Sequence, residues 1–148
     1  TLNKLKISKL YGFLAHDSNQ LIKNNLIWGY LKSLKQINKV QKIGYSVYNT
    51  DQLDDLIGLG FIPDIIQLPY NLLDRQFERY FEILKQYKVE IHVRSIFLQG
   101  ALIKPAFLSY HPHYKTLETT VQALKEFPMR FRITPAELMA HPVFRRVK

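Results

Sequence analysis

The feature that most limits what this chain can fold into is an alternation: four short apolar runs, each followed by a turn and then a helix-like pattern. The first run is LYGFLAH, Leu10 to His16. Behind it, LIKNNLIWGYLKSLKQ sets Leu21, Ile22, Leu26, Leu31 and Leu34 near helical spacing, with Trp28 one position off. The second is KIGYSVY, Lys42 to Tyr48. Thr50 is placed to cap a helix over DQLDDLIGLG, whose acids Asp51, Asp54 and Asp55 suit its positive end and which Gly58 and Gly60 terminate. The third is DIIQL, Asp64 to Leu68, before an apolar stripe of Leu72, Leu73, Phe77, Tyr80, Phe81 and Leu84. The fourth is VEIHVRSIF, Val89 to Phe97. A further helix is expected over Leu117 to Phe127, and Thr134-Pro135-Ala136-Glu137 has the pattern of a helix start with proline in the first turn.

Strands that alternate with helices at these separations are joined by crossovers, and crossovers make parallel sheets. Runs rich in Ile, Leu and Val suit strands covered on both faces. Two α/β architectures fit, a (β/α)8 barrel and a doubly wound sheet. No glycine-rich phosphate loop follows any strand, so the sequence signature of a Rossmann or P-loop site is missing. No repeat or Pro/Ser-rich linker divides the 148 residues, and a single domain over 1–148 is expected.

Charge bears on partners. Residues 1–45, 46–90 and 91–148 carry +7, −4 and +6, which together give the net +9. The charge lies at both ends and reverses in the middle, without an Arg/aromatic recognition motif, so a solvated surface is favoured and nucleic-acid binding ranks last. No apolar run approaches the roughly 20 residues of a membrane-spanning helix. With no cysteine and no visible secretory signal, a cytoplasmic location is expected.

Chemistry in parallel α/β folds gathers at the C-terminal ends of the strands. Reading those ends gives His16-Asp17, then Ser46 and Asn49, then Gln67 with Tyr70-Asn71, then Arg94, Ser95, Phe97 and Gln99. Donors and acceptors there, rather than paired carboxylates or a metal cluster, suit orientation of a polar ligand. Gln67 is notable because its amide both donates and accepts, which fits recognition of another amide. Each candidate has a plainer role: His16 as a hydrogen-bonded strand end, Gln67 as partner to a backbone group, Pro69 as a strand stop. Arg94 is costly if buried alone, so it either pairs with an acid such as Glu90 or faces an anion. His92 points to the same side as Arg94. His111 and His113, in YHPHY, read as a proline-constrained surface turn.

Taken together, LYGFLAHD, IWGYLKSLKQINKVQKIGYSVYNTDQL, DIIQLPYNLLDRQFE and VEIHVRSIFLQGAL resemble the aldo-keto reductases, especially a bacterial branch. The likeness runs from about Leu2 to Leu138 and leaves 139–148 as a divergent tail. The resemblance implies a (β/α)8 barrel with NADPH or NADH bound at the C-terminal face, and reduction of a small aldehyde or ketone. It casts His16 as the residue that polarises the carbonyl, and Ser46 and Gln67 as holders of the nicotinamide carboxamide. Many relatives carry Ser-Asn where this chain has Ser46-Val47, with Asn49 close by. Where many stack a tyrosine on the nicotinamide, Arg94 falls, with Phe97 beyond it.

The segments correspond to strands four to seven of eight. The family's proton-donating tyrosine, and the aspartate and lysine that adjust it, have no counterpart among them. A barrel of this type needs roughly 250 residues. The resulting expectation is a partial barrel, inactive or nearly so as 148 residues, because loss of a proton donor alone forfeits about 10²–10⁴ in rate. An opened barrel exposes strand edges and an apolar inner face, which invites self-association. The competing expectation is a non-catalytic product, either a truncated remnant or a protein-interaction module.

Overall fold

A computed structural model of the chain describes residue 4, residues 6–71 and residues 74–96. Four strands follow one another: β1 (Leu10–Ala15), β2 (Val40–Ser46), β3 (Ile65–Pro69) and β4 (Glu90–Arg94). Helices α1 (Ser18–Lys23) and α2 (Leu26–Gln36) separate the first pair, and α3 (Thr50–Gly58) the second. A 3-10 turn (Glu78–Tyr80) and α4 (Phe81–Gln86) precede the fourth strand. All pairings are parallel and the order in the sheet is β1-β2-β3-β4. A doubly wound sheet reverses its order at a switch point. Unbroken sequential order is that of a barrel wall.

Register fixes which residues share a face. Tyr45 pairs with Ala15 and Ile66, and that row points towards the helices. There Trp28 of α2 packs at 5.9 Å from the Tyr45 ring and 5.4 Å from Phe61, and the Tyr45 hydroxyl donates to the Phe61 carbonyl at 2.9 Å. Burial pushes the Tyr45 phenol well above the ordinary tyrosine range. Leu31, Ile43, Leu53, Leu56, Ile66 and Leu68 complete a buried core. The next row, on the face opposite the helices, joins Ser46, Gln67 and His92.

The first helical pattern is two helices, not one. The Asn24 side chain accepts from the Leu26 amide at 3.1 Å, an Asx turn that ends α1 and resets the helical phase. Trp28 therefore lies in the core at 4% exposure, while Leu26, assigned to the stripe from its spacing, is 80% exposed. The cap of α3 is Asn49 rather than Thr50: its Oδ1 accepts from the Gln52 amide at 3.0 Å, and Gln52 Oε1 accepts in return from the Tyr48 amide at 2.7 Å. Thr50 is the first helical residue.

Asp64 ties three strands together at the foot of β3. Its amide donates to the Ile43 carbonyl at 2.8 Å and its carbonyl accepts from Glu90 N at 2.9 Å. Its carboxylate accepts from Ile43 N at 3.0 Å and from the Lys35 ammonium at 2.6 Å. Gly44 approaches β3 so closely that an added Cβ would lie 1.6 Å from the Ile65 carbonyl oxygen.

The residues through Pro69 together with Gln76–Arg94 form one compact unit, while Tyr70–Arg75 and the residues from Ser95 on belong to another. Within the latter, Asn71 Oδ1 accepts from the Asp74 amide and its Nδ2 donates to the Ser95 carbonyl at 3.2 Å. Asn71, a strand-end candidate by sequence, thus holds a turn. The helices expected beyond residue 96, and His111 and His113, lie outside the described residues.

Candidate functional site

The C-terminal ends of the strands gather the polar groups. Ser46 and Gln67 are direct register partners. Ala15 pairs with Tyr45, so His16, one residue later, emerges at the level of Ser46. Its side chain is exposed, and the following residue, Asp17, caps α1 by accepting from Asn19 N at 3.0 Å. Ser46 is 3% exposed and Gln67 half-buried between the buried Ile66 and Leu68. The Gln67 backbone carbonyl accepts from the Val47 amide at 2.9 Å.

Buried polar atoms in native proteins are almost always hydrogen-bonded, and an exception calls for a reason. Among the described residues three buried side-chain atoms have no partner: Ser18 Oγ, Ser46 Oγ and Arg94 Nε. Ser18 follows β1, Ser46 ends β2 and Arg94 ends β4, so all three lie at the same end of the sheet. Sequence reading passed over Ser18; the only signal was its place two residues beyond the His16 strand end.

Arg94 pairs in register with Pro69 and reaches across to the end of β2. Its guanidinium lies 3.9 Å over the Tyr48 ring and Nη2 donates to the Val47 carbonyl at 3.0 Å. Glu90, offered by sequence as its partner, is engaged elsewhere. The Glu90 carboxylate takes the Lys42 ammonium and the Tyr11 hydroxyl, and His92 Nε2 also lies against it. The Lys42 hydrogen bond, then those of Tyr11 and His92, hold Glu90 at about 2, below the carboxylate range. The hydrogen bonds to Glu90 and then Tyr11 push Lys42 above the ordinary lysine range, and its ammonium lies 5.0 Å from the Tyr11 ring centroid.

Asn49 stands close to these groups in sequence, but its Oδ1 is occupied by the cap of α3 and the side chain is exposed. Phe97 lies outside the described residues. The chemistry present is a hydroxyl, an amide, an imidazole and a guanidinium at one mouth, a set of donors and acceptors able to orient a polar ligand. The unmet Ser46 hydroxyl beside the Gln67 amide fits the carboxamide of a nicotinamide, which both donates and accepts.

The sequence profile of the Aldo/keto reductase family matches residues 1–145. The chain belongs to that family. The match passes Leu138, where the likeness read from sequence ends. Among solved structures, a glycerol dehydrogenase of Gluconobacter oxydans superposes with a TM-score of 0.68 at 16% identity over 97% of this chain and 49% of its own. Two structures described as an aldo-keto reductase of Pseudomonas aeruginosa superpose with TM-scores of 0.52 and 0.54 at 21% and 20% identity, over 62% and 64% of this chain and 37% of theirs. These likenesses support the barrel fold, and the chain spans less than half the length of each. A comparison with curated proteins finds no match. No helix among the described residues is long and apolar enough to cross a membrane.

Proposed function

We propose that this chain carries the nicotinamide-holding and carbonyl-orienting side of an NAD(P)H-dependent aldehyde or ketone reductase of the bacterial branch. On this reading β1–β4 stand for strands four to seven of the family barrel, and 1–148 form part of one domain in a cytoplasmic enzyme. The observation that carries it is the buried, unpartnered Ser46 hydroxyl in register with Gln67 at the C-terminal ends of β2 and β3.

Each residue has a role its chemistry allows. Ser46 and Gln67 would fix the carboxamide and so the orientation of the ring. His16, exposed at the same level, would hydrogen-bond the carbonyl oxygen and polarise it. Arg94 belongs to the wall around the ring, and Asn49 supports that wall through α3; Phe97, which the resemblance also assigns to the cofactor, lies outside the described residues. When bound, the nicotinamide supplies hydride to the carbonyl carbon. The proton for the resulting alkoxide would come from the family tyrosine, which the segments of this sequence do not match. That mismatch favours a second reading, a catalytically inactive or interaction module that retains the fold and associates through its strands.

Titration of the chain with NADPH, followed by nicotinamide emission, separates the two. Enhanced emission that Ser46→Val and Gln67→Leu each weaken by tenfold or more supports the reductase reading. Titration without any change, in a chain shown to be folded by circular dichroism, leaves the second.

A further inference from the structure

Arg94 presents an unresolved requirement. A guanidinium partly removed from water needs a counter-charge or full hydrogen bonding. Here Glu90, four residues earlier on the same strand, is taken by Lys42, Tyr11 and His92, and among the described residues no carboxylate reaches Arg94. Its Nε–H is buried and unmet, while its face lies on Tyr48 and Nη2 is tied to the Val47 carbonyl. The group is therefore held in one orientation before any ligand arrives, so little rotamer freedom remains to be lost on binding. The free edge of a guanidinium matches two carboxylate oxygens in geometry and charge.

We propose that Arg94 is a specificity-determining residue that receives the carboxylate of an oxo-acid substrate. The location favours substrate over cofactor phosphate. Arg94 follows His92, the row partner of Gln67, by two positions, which is about 7 Å along a strand. It thus stands near the carboxamide end of the proposed cofactor site, where the reduced cofactor has no charge. The carbonyl part of this inference rests on the reductase reading; the carboxylate part does not.

The test uses phenylglyoxylate and its methyl ester, two α-oxo compounds that differ in the charge. Binding of each to the full chain is measured by calorimetry with and without NADPH. The acid is expected to bind at least tenfold more tightly than the ester, and Arg94→Gln to abolish the difference. Tyr48→Leu, which keeps the charge but loosens its orientation, is expected to reduce it. Equal binding of acid and ester, or no binding of either, overturns the proposal, as does a preference that survives Arg94→Gln. If Arg94→Gln instead weakens NADPH alone, the arginine serves a cofactor phosphate and the proposal fails. A chain that prefers the acid but does not bind NADPH leaves the anion site standing and removes the reductase reading.

Discussion

At the scale of single residues, the Glu90 cluster makes a statement about acid. Its carboxyl group is held at about 2 by Lys42, Tyr11 and His92, below its value in an unfolded chain. A depressed carboxyl stabilises the fold above its unfolded pKa, and the contribution disappears as pH falls through the folded one. Melting temperatures recorded from pH 5 to pH 2 should fall through this window, and Glu90→Gln should flatten the decline. Two glycines make a contrasting pair. An added Cβ at Gly44 meets the Ile65 carbonyl at 1.6 Å, so Gly44→Ala forces the strands apart. Its cost should reach or exceed the about 1–3 kcal/mol typical of overpacking. Gly29, in α2, has nothing within 4 Å of the same position. Gly29→Ala should stabilise by about 0.5–1 kcal/mol, through the helix preference for alanine alone. Denaturant titration of both variants checks the pair.

At the scale of elements, caps and strand feet decide more than apolar stripes do. Asn49 and Gln52 satisfy each other's end of α3, and their spacing is that of a capping box, a signal legible in NTDQ although Thr50 drew the assignment. Asn49→Ala should cost about 1 kcal/mol, while Asn49→Asp keeps the acceptor and most of the stability. If Asn49 acts only as a cap, NADPH affinity in Asn49→Asp will match that of the parent. Asp64 is the stronger case, because its carboxylate satisfies the Ile43 amide of a neighbouring strand. Asp64→Ala should cost about 1.5–3 kcal/mol, the scale of a charged hydrogen bond, and Asp64→Asn less, since an acceptor remains. Chemical denaturation measures both. The break between α1 and α2 was hidden from sequence because an Asx turn costs only two residues, and periodicity carries through such a gap with a shifted phase.

At the scale of the whole molecule, the alternation of runs and helices made a parallel sheet legible, and sheet order then chose a barrel wall over a doubly wound sheet. Strand positions were readable to within a few residues because Ile, Leu and Val cluster there. The positions of His16, Ser46, Gln67 and Arg94 followed from the rule that strands deliver chemistry at their C-terminal ends. The partners of Arg94 did not, because Tyr48 and Val47 lie on another strand's exit and only register brings them near. Among the described strands, β2 and β3 are flanked on both sides. Hydrogen exchange should therefore be slowest at amides such as Tyr45 and Ile66, both fully buried, and faster along β1, where Tyr11 and Phe13 are exposed. Comparable rates in β1 and β3 would contradict this. The hold of Asp64 on Ile43 and Glu90 has a further meaning for anyone who sets out to redesign this protein. Strand β3 offers its residues to the mouth like type in a line: moved by one place, it would print Ile66 or Leu68 where Gln67 now stands and turn the amide under the helices. The identity of what faces the mouth is thus kept by a residue that lies outside it, and a mutational survey confined to the mouth would miss the position that sets the register.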